Sequence, residues 1–325
     1  MKDQFERNID YLRLSVTDRC NLRCRYCMPP EGIDPCAHEE ILSFEEILRL
    51  VGLFAKCGVR KIKLTGGEPL VRKDISYLVR GLKEISGIQE VTLTTNGLLL
   101  KEQLPGLLDA GIDGINISID TLKEDCYRTL TRGGELKQVI EALDACCKQD
   151  NLAVKVNAVT LEEYNLNEIA ALAALAKDYP MDVRFIEMMP MGSGKNFAGY
   201  TQETVLKVLE EVYGTPQLTL EQRGNGPSVY YKLDGFCGRI GMISPMSHSF
   251  CEECNRIRLT AGGFLKPCLH HSMGIDLRKL LRSKATDTEI LSAITDGIFS
   301  KPSRHMFCTS DTGNSETRSM YQIGG

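Results

Sequence analysis

Six short strand-like runs alternate with amphipathic segments over residues 1–190. The runs cover residues 11–16, 61–65, 91–96, 114–120, 153–159 and 183–188. Apolar residues recur at helical spacing in the segments between them, including 75–85, 103–110, 136–148 and 166–177, and a first helix opens with the capping-box pattern Ser43-Phe44-Glu45-Glu46. Strands that alternate with helices form a parallel sheet. The pattern therefore predicts an α/β fold, either an incomplete (βα)6 barrel or a doubly wound sheet.

The strand-like runs are apolar on one face only, which favours the barrel. A parallel strand buried on both sides is apolar throughout, whereas here Arg13 and Ser15 alternate with leucines. The other polar positions are Lys61, Lys63, Thr65, Thr92, Thr94, Asn96, Asn116, Ser118, Asp120, Lys155 and Asn157. Isolated charges are too costly for a dry core, so the polar faces predict a wet channel for an anionic ligand. The alternative is that the lysines pair with acids or extend to solvent.

Two groups of three cysteines stand out among the thirteen cysteines of the chain. Cys20, Cys24 and Cys27 directly follow the first strand, and Cys251, Cys254 and Cys268 lie near the other end. Three thiolates are one short of a four-cysteine shell, so a [4Fe–4S] cluster held by three would keep one iron open for chemistry. The alternative for each trio is a structural zinc site, completed for the second by His270 or His271.

Charge and hydropathy exclude other classes of protein. The net charge of -4 argues against a general nucleic-acid-binding surface. No apolar run approaches the roughly 20 residues of a membrane span. Residues 1–7 lack an apolar signal core, so we expect a cytoplasmic protein that contacts neither nucleic acid nor membrane.

The pattern changes after residue 190, where we place a boundary between regions 1–190 and 191–325. Gly194-Lys195 lacks the remaining residues of a phosphate-binding P-loop. The second region predicts a helix at 201–213, strands at 228–233 and 238–244, a hairpin at 257–269 that turns at Gly262-Gly263, and helices near 276–281 and 288–298. We expect the Ser/Thr/Gly-rich tail from Thr309 to be mobile.

The first cysteine trio, together with Gly66-Gly67-Glu68-Pro69, resembles the radical S-adenosylmethionine (SAM) enzymes. The stretch from Cys251 to Thr260, then Cys268 and a terminal Gly324-Gly325, is similar to the GTP 3′,8-cyclase family, which begins molybdenum cofactor biosynthesis. The resemblance covers essentially the whole chain. It implies an incomplete TIM-like barrel with a C-terminal α+β region over its open side, and two [4Fe–4S] clusters with SAM as the further cofactor.

The resemblance also assigns roles to individual residues. The positions that match SAM contacts are Tyr26, Gly67, Ser118 and Met189. The candidates for GTP contacts are Arg13, Lys61, Lys63, Thr94, Lys155, Arg184, Arg256, Ile257 and Arg258. Catalytic roles fall to Arg13 and to the tail residues Gly324 and Gly325. The family pattern has arginine where this chain has Lys63, and a lysine keeps the charge but loses bidentate geometry.

The resemblance further implies GTP as substrate, a separate electron donor, and cyclic pyranopterin monophosphate synthase as the enzyme that takes the product, with the cyclase a monomer or homodimer. Two other classes stay open at this point. One is another radical SAM enzyme with an auxiliary cluster, such as a peptide-modifying maturase, which does not need Arg256, Arg258 or a Gly-Gly terminus. The other is a zinc or nucleic-acid-binding module, which the absence of tryptophan disfavours.

Overall fold

Six parallel strands in sequential order form the centre of the molecule. The computed structural model describes residues 1–33, 36–221, 224–307 and 316–324. The strands are β1 (Tyr11–Ser15), β2 (Lys61–Thr65), β3 (Glu90–Thr95), β4 (Gly114–Ser118), β5 (Ala153–Val159) and β6 (Asp182–Ile186). Each pairs in parallel with the next along the chain. A doubly wound sheet reverses strand order at a switch point, so the sequential order decides for the barrel.

The connections between these strands are mainly helical. The helices are α1 (Phe44–Lys56), α2 (Ile75–Glu84), α3 (Leu100–Asp109), α4 (Glu124–Thr131), α5 (Leu136–Cys147), α6 (Glu162–Asn165) and α7 (Ile169–Asp178). The predicted capping box forms, because the Ser43 hydroxyl accepts from the Glu46 N–H and the Glu46 carboxylate accepts from the Ser43 N–H at 2.8 Å. Helix α4 was not predicted, and α7 begins at Ile169 after a short 3₁₀ turn rather than at residue 166.

The second region extends the same sheet at both edges. Its strands are β7 (Gln217–Thr219), β8 (Val229–Lys232), β9 (Arg239–Ile243), β10 (Arg256–Leu259), β11 (Phe264–Lys266) and β12 (Ile275–Asp276). The spatial order is β12-β11-β10-β1-β2-β3-β4-β5-β6-β9-β8-β7. Because β12 and β7 end this order without pairing in the described residues, the barrel is open. The second region also contains the helices α8 (Gln202–Tyr213), α9 (Leu277–Arg282) and α10 (Asp287–Phe299).

The predicted hairpin after Cys254 is confirmed. Strands β10 and β11 pair antiparallel, and Gly263 turns the chain with φ +81°. Strand β7 was missed because it has only three residues. None of the helices in the described ranges combines the length and the apolar character that a membrane crossing requires.

The expectation of a mobile tail is wrong for residues 316–324. They carry a short helix α11 (Met320–Ile323), and Ile323 is only 1% exposed. Residues 308–315 and Gly325 lie outside the described residues.

The alternation along each strand separates core from cavity. Leu12 and Leu14 of β1 are fully buried in the apolar core against the helices, whereas Arg13 between them lines a cavity. The polar positions of β2 to β5 line the same cavity, as predicted. A sheet whose strands all present one face to one cavity must curve around that cavity. Side chains of β1 and of the second-region strand β10 therefore line the same cavity.

Candidate active site

A cavity of about 970 Å³ lies inside the barrel. Both cysteine trios and the buried side chains of Lys63, Lys155, Arg184 and Arg258 line it. Its volume is at the upper end of the range for small-molecule sites, roughly 300–1,000 Å³. Residues that are separated by more than 200 positions in the sequence therefore line the same cavity and can contact the same ligand.

The loop after β1 brings the first trio to the cavity wall. Cys24 accepts backbone hydrogen bonds from Cys27 and Met28, both at 2.9 Å, and this tight turn places the thiols of Cys20, Cys24 and Cys27 together. All three cysteines are free. Burial raises the pKa of Cys20 to about 11 and that of Cys27 to about 12. Such thiols ionise when a metal supplies the compensating charge.

The Gly66-Gly67-Glu68-Pro69 turn packs directly against this loop. The Gly67 N–H donates to the Thr17 carbonyl at 2.8 Å, and a Cβ on Gly67 would lie 2.6 Å from the Asp18 carbonyl oxygen. Only glycine fits there. The Glu68 carboxylate accepts from the Thr95 hydroxyl at 2.7 Å, and burial raises the pKa of Glu68 to about 7. The turn is thereby locked to the cysteine loop and to β3.

The positions that match SAM contacts, Tyr26, Gly67, Ser118 and Met189, all line the cavity. The Tyr26 hydroxyl donates to the Asp120 carboxylate at 2.7 Å, and burial raises the pKa of Asp120 to about 6. Thr94 also faces the cavity. All five of these residues therefore line the same cavity as the first trio.

Four basic side chains of the barrel strands gather in the cavity. Lys63, Lys155 and Arg184 are 6–9% exposed, and Arg13 lines the wall beside them. Burial lowers the pKa of Lys63 well below its usual value, and the positive charges of Arg184, Arg13 and Lys155 lower it further. Such a cluster favours an anion with several charges.

The alternative of lysine–acid pairing holds for two lysines. Lys61 lies 3.1 Å from Asp10, and Lys155 lies 3.6 Å from Asp182. Lys155 also donates to the Tyr230 hydroxyl at 3.1 Å. Sequence reasoning missed these partners, because Asp10 and Asp182 stand at the starts of strands and Tyr230 comes from the second region.

The second trio lines the same cavity as the first. A 3₁₀ turn carries Cys251 and precedes Cys254, and Cys268 follows β11. Burial raises the pKa of Cys254, but the positive charges of Arg256 and Lys301 outweigh it, and the net effect lowers that pKa to about 6. The low pKa favours the thiolate form of Cys254, which is the form that binds metal. Lys301 had no sequence signal, since it lies 47 positions beyond Cys254.

The two histidines considered as zinc ligands differ in position. His270 lines the cavity, whereas a ring nitrogen of His271 donates to the Arg304 carbonyl at 3.2 Å. In the described ranges, no three His, Cys, Asp or Glu side chains are arranged to hold a single metal ion. Three soft thiolates on the cavity wall fit a cluster with one open iron.

Strand β10 aligns its arginines with Arg13. The parallel pairing sets Arg258 opposite Arg13 and Arg256 opposite Tyr11, so both arginines face the cavity. Ile257 between them is 1% exposed and packs in the apolar core. Any contact of Ile257 with a nucleotide must therefore come from its backbone.

The C-terminal segment ends at this row of basic residues. Arg258 donates to the Gly324 carbonyl, and a Cβ on Gly324 would lie 2.7 Å from the Thr65 hydroxyl and 3.0 Å from the Ser15 Cβ. Gly324 has φ +81°, which a glycine adopts without strain. Gly325, the other predicted tail residue, is outside the described residues.

Solved structures of other proteins resemble this fold. Streptococcus suis SuiB bound to precursor peptide SuiA aligns over 91% of this chain and 65% of that chain, at TM-score 0.63 and 15% identity. Methylornithine synthase PylB aligns over 64% of this chain and 63% of that chain, at TM-score 0.50 and 19% identity. At these identities the similarity shows a shared fold.

Similarity in sequence is far stronger and covers the full length. The Radical SAM superfamily model matches residues 14–176, and the Molybdenum Cofactor Synthesis C model matches residues 181–307. The GTP 3′,8-cyclases of Clostridium perfringens strain 13 and of Alkaliphilus metalliredigens are each 44% identical to this chain, over 100% of both sequences. The chain belongs to the GTP 3′,8-cyclase family of the radical SAM superfamily.

Proposed function

We infer that this chain catalyses the GTP 3′,8-cyclase reaction, which converts GTP to (8S)-3′,8-cyclo-7,8-dihydroguanosine 5′-triphosphate in the first step of molybdenum cofactor biosynthesis. The observation that carries this inference is the shared cavity, where both cysteine trios and the buried cations meet. The reaction breaks the C3′–H bond of GTP and forms a C3′–C8 bond. It needs a radical source, a polyphosphate site and a shielded cavity in one place.

The first trio provides the radical source. Cys20, Cys24 and Cys27 would hold a [4Fe–4S] cluster whose open iron binds SAM, and together these cofactors supply a 5′-deoxyadenosyl radical. We propose that Tyr26, Gly67, Ser118 and Met189 orient the SAM molecule. Tyr26, held by Asp120, would limit the movement of SAM, and the Gly67 turn allows its close approach.

We propose that the second trio, Cys251, Cys254 and Cys268, holds another [4Fe–4S] cluster whose open iron faces the guanine. The low pKa of Cys254 and the place of all three thiols on the cavity wall support this assignment. Zinc held by the trio and His270 is the alternative, and metal analysis distinguishes the two, since zinc sites contain no iron.

The cations of the cavity would bind the triphosphate. We assign this role to Lys61, Lys63, Lys155 and Arg184, with Arg13, Thr94, Arg256, Arg258 and the backbone of Ile257 contacting the rest of the nucleotide. Each charge-assisted contact contributes about 1.5–3 kcal/mol. We also propose that Arg13 assists reduction or protonation of the cyclised nucleotide, and that Gly324 and Gly325 complete the site from the tail.

The remaining aspects of the proposal concern the enzyme in its cell. We propose that it is a lyase by reaction class and acts in the cytoplasm as a monomer or homodimer. Region 1–190 would form the radical SAM partial barrel with the first cluster, and region 191–325 would carry the second cluster and the Gly-Gly tail. An external donor would supply electrons, and cyclic pyranopterin monophosphate synthase would take the product.

The test uses anaerobic, reconstituted enzyme with SAM, a strong reductant and each of the four ribonucleoside triphosphates in turn. We expect GTP alone to stimulate release of 5′-deoxyadenosine and to yield a nucleotide isomer of unchanged mass. Cleavage of SAM that is indifferent to nucleotides would favour another radical SAM activity, such as peptide modification. Intact SAM despite an intact cluster would contradict the role of the first trio.

A further inference from the structure

A buried ion-pair network lies at the start of the described C-terminal segment, residues 316–324. The Lys266 ammonium, on β11, donates to the Glu316 carboxylate and to the His271 carbonyl. The side chains of Lys266 and Glu316 are at most 1% exposed. Arg318 donates to both carboxylate oxygens of Glu316 at 2.9 Å. The Glu316 N–H donates to the His270 carbonyl at 2.6 Å, so side chain and backbone are both held.

The network is a poor source of stability in itself. Removing two opposite charges from water costs about as much as their attraction returns, so a buried pair is better suited to fix one arrangement among several. Here the pair joins residues 50 positions apart. Lys266 is also the cross-strand partner of Arg258 in the β10–β11 pairing. The network is therefore one strand away from the arginine that the tail reaches.

The residues after Glu316 depend on external contacts to keep their path. Helix α11 has only four residues, too few to form a stable helix alone. Ser319 rests on Gly192, where a Cβ would lie 2.6 Å from the Ser319 hydroxyl oxygen. Tyr321 lines the cavity that Cys27 also lines, and the Gly324 carbonyl accepts from Arg258. The segment thus runs from Lys266 on β11 along the cavity wall to Arg258 on β10.

An extended chain of eight residues spans up to roughly 28 Å, so a segment released at Glu316 could leave the cavity altogether. We propose that Lys266, Glu316 and Arg318 form a positioning anchor that holds residues 316–324 along the cavity wall and brings Gly324 to Arg258. The anchor's effect on turnover rests on the proposed function, whereas its effect on docking of the segment does not.

The test measures docking and turnover separately on full-length, reconstituted enzyme under anaerobic conditions. The variants are Glu316→Gln, Lys266→Met and the double variant. Carboxypeptidase releases residues from an undocked C-terminus, and mass spectrometry follows the shortened chain. We expect Glu316→Gln to lose its last residues at least about tenfold faster than the unmodified enzyme, because a buried lysine loses its partner.

Turnover is expected to fall together with docking. Formation of the GTP isomer should decrease about as much as protection does, with the GTP KM and the iron content unchanged, and Glu316→Asp should restore part of both. The matched control is Glu46→Gln, which breaks a partly exposed ion pair between Glu46 on α1 and Arg282 on α9. It should change neither readout. Iron content also shows whether Lys266→Met has disturbed the neighbouring Cys268.

Three results discriminate the possibilities. Equal resistance of Glu316→Gln and the unmodified enzyme to carboxypeptidase would overturn the anchor, whatever the activity. Simple additivity of the two single substitutions in the double variant would also overturn it, because residues that act as a pair are not additive. Faster digestion with unchanged turnover would support the anchor and contradict the catalytic role of the glycine tail instead.

Discussion

The Lys63 ammonium lies in the most crowded cationic part of the cavity, and its protonation should govern how GTP binding responds to pH. With the Asn116 amide oxygen facing the cations, Lys63 Nζ lies 2.5 Å and an Arg184 nitrogen 2.7 Å from that one oxygen, so the two nitrogens are at most about 5.2 Å apart. Two unit charges at this distance repel by on the order of 3 kcal/mol at an effective dielectric constant of about 20.

Burial and then the charges of Arg184, Arg13 and Lys155 lower the pKa of Lys63 well below 10.5, and Glu90 opposes them only weakly. A bound triphosphate reverses this field and raises the pKa of Lys63. The GTP complex then holds more protons than the free enzyme. The affinity for GTP should therefore fall as pH rises from the lowered pKa of free Lys63 toward 10.5, by at most about tenfold per pH unit.

Isothermal titration calorimetry measures this proton uptake directly. GTP is titrated anaerobically into cluster-loaded enzyme without reductant or SAM, in buffers of different ionisation enthalpy, from about pH 7 to pH 10. We expect the unmodified enzyme to bind at most one proton more per GTP than the Lys63→Arg variant does. The arginine guanidinium stays protonated in this pH range and therefore gains no proton when GTP binds. Proton uptake by the GTP phosphates is common to both proteins and cancels.

A second variant separates charge from titration. Lys63→Met should also lose the extra proton uptake, and it should weaken GTP binding by about 1.5–3 kcal/mol, roughly 10- to 150-fold. Equal proton uptake by the unmodified enzyme and Lys63→Arg across the whole pH range would refute the argument, since it would mean that Lys63 is already charged before GTP binds.

Three further changes test other parts of the site. Arg13→Ala should abolish product formation while calorimetry shows GTP binding largely retained; a large loss of affinity would indicate a plain binding role. Deletion of residues 324–325 should remove turnover with the iron content and cluster absorbance intact, and normal turnover would disprove a role for the tail. Gly67→Ala places a methyl group against the Arg19 carbonyl and should lower stability by about 1–3 kcal/mol; SAM affinity by equilibrium dialysis should fall, and an unchanged value would contradict the close packing.

Local periodicity explains why so much of the barrel could be predicted. The six strand-like runs agree with the structure to within two residues at each end, and the alternation of Arg13 with Leu12 and Leu14 correctly separates cavity from core. Side-chain direction in a strand depends only on position along it. Ile257 follows the same rule. It stands between Arg256 and Arg258, which face the cavity, so its side chain points to the opposite face of β10 and lies in the core.

Long-range partners could not be predicted in this way. Lys301 lies beside Cys254, Asp182 beside Lys155, and Glu316 beside Lys266, yet none of these pairs is close in sequence or part of a periodic pattern. The Ser/Thr/Gly-rich composition of the tail predicted mobility, and this prediction is wrong for residues 316–324. Composition reports how easily a segment orders alone, whereas here a buried ion pair and a docked glycine order it.

Spacing within short stretches of the chain predicts the alternating strands and helices, the polar lining of the barrel and the two cysteine trios. Contacts between distant residues are needed to show that strands of the second region extend both edges of the sheet, that the two trios line one cavity, and that Gly324 docks on Arg258. These features arise from contacts between distant residues, whose formation depends on packing of the whole molecule and leaves no local pattern.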